Sequence, residues 1–141
     1  MNLKSLSLFM LLIFLSSEQL VAGYTTPNTG VNWTLDSLVA YSSGTLVGSF
    51  PNYTLNDTLS IAQNDRLTLR AGSVISVAQG TGKGFTVFGI LRAIGTVAET
   101  IVVKGLVSTV GAHRGFRFDD SSVDSLSVQS DCRMHVAGDV V

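Results

Sequence analysis

The stretch from His113 to Ser125, "HRGFRFDDSSVDS", concentrates the side chains best suited to chemistry. Asp119, Asp120 and Asp124 form the densest carboxylate cluster, and such oxygens are what a calcium ion takes as ligands. His113, Arg114 and Arg117 beside them could bind or deprotonate an acidic sugar. In the alternation Phe116-Arg117-Phe118 the arginine points away from the apolar face, to where a groove would lie. Each feature also has a plainer reading. "FDDSSVDS" spells an ordinary polar turn, and the basic residues make a solvated face, because no paired carboxylates or second base accompany Arg117. The plainer reading is favoured. It leaves Arg117 as the catalytic candidate, Asp119, Asp120 and Asp124 as calcium candidates, and no required cofactor. His135 stands alone between Met134 and Val136, and no His, Cys and acid cluster has zinc spacing. Cys132 is the single cysteine, so it forms no internal disulfide and reads as a small semi-buried residue.

A second stretch, "QGTGKGFTVFG" from Gln79 to Gly89, resembles a phosphate-cradling loop at first sight. The spacing excludes it. Counting back from Gly82-Lys83 places Val77 where a Walker loop needs its first glycine, and Gly84 replaces the hydroxyl that holds magnesium. The dinucleotide fingerprint fails at Phe85, where its third glycine belongs, and no helix follows to offer its N-terminus. No nucleotide partner is expected. Nor is nucleic acid, since only 13% of residues are charged, the formal net charge is −1 and no Lys/Arg cluster is present.

The elements that would position these residues begin after an export signal. Lys4 followed by the apolar run Leu6 to Leu15, too short for a membrane span, reads as a secretory signal peptide over residues 1–23, with cleavage after Ala22 or Gly23. Residues 24–56 mix Pro, Asn, Gly and Ser without a sustained period. They read as an irregular cap, with a short helical turn over Leu35 to Val39 behind Thr34 or Asp36. From residue 57 the texture changes to short runs with apolar residues two apart: "DTLSIA", "DRLTLR", "SVISVA", "GFTVFG", "TIVVKG", "GFRFDD", "DSLSVQS" and "RMHVAG". Turn formers separate them. Aligning Leu67-x-Leu69, Phe85-x-Val87, Phe116-x-Phe118 and Met134-x-Val136 suggests a repeat that can bury its apolar residues only by stacking on its neighbours, a solenoid. Leu67, Leu69, Phe85, Val87, Phe116, Phe118 and Val136 would form one inner column, with Gly72, Gly89 and Gly95 allowing sharp bends. The cap would cover the open edge of the first coil.

The segment from Asn56 to Leu126 resembles the opening coils of secreted bacterial right-handed parallel β-helix proteins of the pectin-lyase-like superfamily. The resemblance is carried by Leu67 to Leu69, Ala71-Gly72, Ser73 to Val77, Phe85 to Gly95 and Ile101 to Lys104, and most specifically by Gly89-Ile90-Leu91-Arg92-Ala93-Ile94-Gly95-Thr96. "HRGFRFDD" resembles the family's next strand, with His113-Arg114 where an aromatic residue is common. It implies an all-β, right-handed parallel β-helix over 57–141, incomplete at "VAGDVV" and hence part of a longer chain. Because the resemblance is bacterial, the glycosylation triplets at Asn32, Asn52 and Asn56 are treated as unused. The expected function is a non-catalytic extracellular or cell-surface scaffold, a stalk, adhesion or glycan-contacting element with extracellular polysaccharide or a surface glycan as partner. The alternative is the N-terminal part of a polysaccharide lyase or glycoside hydrolase acting on acidic polysaccharide. After signal removal no membrane span remains.

Overall fold

The computed structural model describes residues 23–107, 113–119, 128–130 and 132–135. The residues before Gly23, where a signal peptide is expected, and Asp120, Asp124 and Val136 lie outside them. The described chain is all-β apart from one short helix. It runs β1 (Tyr24–Thr25), β2 (Asn32–Trp33), α1 (Leu35–Tyr41), β3 (Leu46–Ser49), β4 (Asn52–Leu55), β5 (Leu59–Ile61), β6 (Arg66–Leu69) and β7 (Val74–Val77). There follow β8 (Gly84–Val87), β9 (Ile90–Ile94), β10 (Ile101–Gly105), β11 (Gly115–Phe118), β12 (Val128–Ser130) and β13 (Cys132–His135). Each of the eight runs with apolar residues two apart contains one of these strands, because period-2 alternation lets a strand bury one face and leave the other polar. In β5, β6 and β7, Leu59, Ile61, Leu67, Leu69, Ile75 and Val77 are buried, whereas Ser60, Thr68 and Ser76 between them are half-buried.

Three sheets result, ordered β1-β5-β8-β11, β12-β9-β6-β2 and β13-β10-β7-β4-β3. Apart from β3, successive strands enter these sheets in rotation, so neighbours within a sheet come from different rounds of the chain. Every pairing is parallel except the hairpin β3–β4. Register brings like residues together: Leu59 beside Phe85 beside Phe116, Trp33 beside Leu67 beside Leu91, Tyr53 beside Ile75 beside Val103. The Phe85 and Phe116 rings stack at 4.7 Å and 13°. Aliphatic residues at 0% exposure fill the interior, among them Leu55, Leu59, Ile61, Leu67, Ile75, Val77, Val87 and Leu91.

Two expectations are corrected in the structure. Leu67-x-Leu69 and Phe85-x-Val87 do not repeat one another, since β6 and β8 belong to different sheets. The repeat joins residues one full rotation apart: Leu67 to Leu91, 24 residues on, Ile75 to Val103, 28 on, and Phe85 to Phe116, 31 on. Alternation marks every strand alike, so it could not reveal which strands share a sheet. Phe118 is not enclosed in an inner column; it keeps 36% exposure at the end of β11. Residues 24–56, read as an irregular cap, also lay a parallel strand into each sheet through β1, β2 and β4. Their periodicity is hidden because β1 and β2 have two residues each.

The helix forms where its capping residues allow. Thr34 Oγ1 accepts the N–H of Ser37 at 3.2 Å, and the Ser37 hydroxyl takes the N–H of Thr34 at 2.9 Å, a reciprocal capping box. Leu35 and Leu38 bury the inner side of α1. Gly72 turns β6 toward β7 at φ +79°, a conformation that costs other residues steric strain, and Ser73 N–H closes that turn on Arg70 C=O at 3.1 Å. Gly89 serves by size rather than by φ: a Cβ there would run into the carbonyl oxygens of Asp65 and Ala62.

Candidate functional site

The residues from His113 to Asp119 separate into different environments. Arg117 points outward, as its alternation requires, and its guanidinium lies 3.3 Å from the Asp119 carboxylate, with both side chains partly exposed. In register beside Arg117 along its sheet stand Thr86 and then Ser60, both uncharged. Asp119 is thus engaged by an adjacent cation. Among the described residues no group of three His, Cys, Asp or Glu could hold a metal ion. His113 is not on a sugar-facing surface: it is 5% exposed, and its Nδ1 accepts the N–H of Gly115 at 3.0 Å. The ring fills space beside Gly105, whose missing Cβ would otherwise press on His113 Cδ2. Arg114 is exposed, and its N–H donates to Lys83 C=O at 2.7 Å.

"QGTGKG" forms the turn between β7 and β8. Lys83 N–H closes on Gly80 C=O at 2.9 Å, and the Thr58 hydroxyl from the preceding round donates to Gly82 C=O at 2.7 Å. Cys132 and His135 lie on β13, in register with Ile101 and Lys104.

A different set of residues makes a site. Between α1 and the β6–β7 turn lies a cavity of about 150 Å³ lined by Leu35, Asp36, Tyr53, Thr68, Arg70 and Ser73, with Thr34 at its edge. Four segments converge there. The capping box fixes the first turn of α1 and so sets the position of Asp36. On β4, Tyr53 sends its ring into the core, 4% exposed, while its hydroxyl donates to Asp36 Oδ1 at 2.7 Å. Thr68, on the outward face of β6, donates its hydroxyl to Asn32 Oδ1 at 2.8 Å. Arg70 follows β6 and lays its guanidinium over the Phe50 ring at 3.8 Å, a cation–π contact that holds the side chain near the opening. Ser73 has 0% exposure, and its hydroxyl makes no hydrogen bond within the protein.

Burial, followed by the hydrogen bond to Asp36 and the charge of that carboxylate, pushes the Tyr53 hydroxyl up to about 12, against a smaller opposing pull from Arg70. Tyr53 is therefore a neutral donor across the physiological range. The corner presents one anion, one cation and the hydroxyls of Thr34, Tyr53, Thr68 and Ser73, a set suited to holding a polar ligand. The sequence reading singled out Asp36 only as a candidate helix cap. Thr34 takes that role in the structure, which releases Asp36 to meet Tyr53.

A second polar cluster is structural. Asp65, fully buried in the β5–β6 turn, accepts the N–H groups of Asn28, Thr29, Gly30 and Val31 at 2.8 to 3.0 Å. Burial alone would raise its pKa, yet the bonds from Thr26, Val31, Asn28 and Gly30 outweigh burial and hold it below the ordinary carboxylate value.

Among the described residues no helix is long and apolar enough to cross a membrane. The fold and corner define the chain as an all-β protein of rotating parallel strands with a small polar cavity at its first helix. Comparison with family models, curated proteins and solved structures finds no match.

Proposed function

We propose that this chain is an exported, non-catalytic scaffold of the pectin-lyase-like kind, a right-handed parallel β-helix serving as a stalk, adhesion or glycan-contacting element outside the cell. The observation that carries the reading is the rotation of successive strands through three parallel sheets, with apolar residues in register from round to round. Such a chain builds an elongated surface with polar outward columns, suited to repeated contact with a long polymer. The apolar run behind Lys4 supports export. That Arg117 lies in register with Thr86 and Ser60, and pairs with Asp119, supports contact rather than proton abstraction.

Two measurements test this reading. Incubation with polygalacturonate, with and without calcium, is expected to release no unsaturated sugar; release would replace the scaffold with a lyase. N-terminal sequencing of protein recovered from the culture medium is expected to begin at Gly23 or Tyr24. Retention in the cell with Met1 intact would overturn export.

A further inference from the structure

We infer that the cavity between α1 and the β6–β7 turn is a binding site for a single neutral, polyhydroxylated ring, a terminal or side-chain sugar unit. This deepens the glycan-contacting part of the function proposed above, yet it stands on the cavity's own geometry. Ser73 supplies the first argument. A buried hydroxyl without a protein partner carries a desolvation cost, and Ser73 belongs to this cavity's wall with its hydroxyl closed to solvent, so a ligand hydroxyl satisfies the group once the wall shifts to admit it.

Charge balance supplies the second. Asp36 and Arg70 carry opposite charges at one opening, so the site as a whole is neutral and favours a ligand offering both donors and acceptors over an anion. A carboxylate has about four lone-pair positions. The Tyr53 hydroxyl occupies one on Asp36, which leaves capacity for two adjacent ligand hydroxyls. The guanidinium of Arg70, anchored over Phe50, donates to ring or hydroxyl oxygens, and Leu35 with the carbon face of Tyr53 supplies an apolar wall. Size sets the limit: an open corner of about 150 Å³ seats one ring and is too small to enclose an oligomer.

The test is a titration of the isotope-labelled chain, followed by amide chemical shifts, with methyl glycosides of glucose, galactose and mannose and, separately, with galacturonate. At least one neutral glycoside is expected to bind saturably with a Kd on the order of 1 mM or weaker. Its shifts are expected to centre on Asp36, Tyr53, Thr68, Arg70 and Ser73. Ser73→Ala is expected to weaken that binding roughly three- to tenfold, the range for one lost hydrogen bond. Arg70→Gln should weaken it as well, whereas Arg114→Gln, exposed beside the β7–β8 turn, should leave it unchanged. Absence of saturable shifts with every neutral glycoside, or a preference for galacturonate through Arg70, would overturn the inference. So would equal binding by wild type and Ser73→Ala. A failed titration leaves the scaffold reading intact, because that reading stands on the polygalacturonate and N-terminal sequencing results.

Discussion

Residues 24–55 and residues 59–105 lay strands into the same three sheets, but different forces hold them. In the later region the strands have three to five residues, and buried aliphatic or aromatic side chains meet in register. In the earlier region β1 and β2 have two residues each, and polar side chains tie them to the next round. Asp65 gathers four backbone N–H groups, Thr26 Oγ1 accepts the N–H of Ala62 at 2.9 Å, and Asn28 Oδ1 accepts that of Asn64 at 2.8 Å. Asn32 Oδ1 takes the Thr68 hydroxyl. A short strand buries too little apolar surface to fix its own place. Directional bonds to a buried carboxylate therefore fix the two-residue strands and their loop, adding to the stacking of Trp33 and Tyr53 on the next round. The two regions should fail differently.

The largest effect is expected from Phe85→Ala, which removes a ring with 0% exposure that touches neighbours in both adjoining rounds. A loss of about 3–5 kcal/mol is the range for such a truncation. Because the hole sits in the shared interior, denaturant unfolding should remain a single transition at lower midpoint. Loss confined to β8 and β11, with β5 to β7 still protected from hydrogen exchange, would break the claim that stacking makes the later rounds one unit.

Asp65→Ala comes next. It orphans several N–H groups in one loop, and because that loop can open to water most of the about 1–3 kcal/mol each would cost if kept buried is recovered, leaving a smaller net loss than Phe85→Ala. Amides of Asn28 to Val31 should exchange much faster while those of β8 and β9 stay protected. Uniform acceleration over the whole chain would show that the polar latch is not local. The same carboxylate makes the latch sensitive to acid. Its folded pKa lies below the unfolded one, near ~3.9, so the unfolded chain takes the proton first as pH falls. The contribution is complete above the unfolded value and is lost as pH falls through the folded value. Asp65→Asn should already lack this contribution at neutral pH and show a shallower decline in acid. An unchanged acid limb would assign the decline to other carboxylates.

This contrast also explains what could be read from the chain in advance. Every run after Asp57 with two-residue alternation holds a strand, because alternation is a local signal of burial on one face. Which strand lies beside which was not legible, since β6, β7 and β8 alternate alike yet sit in three sheets. The strands β1 and β2 were invisible for a related reason: two residues cannot display a period. The cavity at Asp36, Tyr53, Arg70 and Ser73 draws on four segments whose meeting depends on sheet register. No spacing rule connects them. Locally the sequence announced only a helix cap, at Thr34 or Asp36; the pairing of Thr34 with Ser37 came from the structure.

The smallest expected effect lies at that corner. Tyr53→Phe keeps the buried ring and removes the hydroxyl that donates to Asp36, so the cost should be about 1.5–3 kcal/mol at most, and less where water replaces the donor at the exposed carboxylate. Stability alone is a weak readout for so small a change, and titration is a sharper one. The chain has three tyrosines, and Tyr53 is pushed up to about 12. Its raised folded value means that the neutral hydroxyl's contribution is fully present below the ordinary tyrosine value near 10.0 and is lost as pH rises through the folded value. An ultraviolet titration of folded protein should show a late tyrosinate step, and Tyr53→Phe should remove it. Asp36→Asn should move the step to lower pH, because it removes the negative charge and strong acceptor that oppose ionisation while burial still holds the hydroxyl above its ordinary value. A late step that survives Tyr53→Phe would belong to Tyr24, whose hydroxyl burial also pushes up, and the Asp36–Tyr53 bond would lose its place as the fixed wall of the cavity.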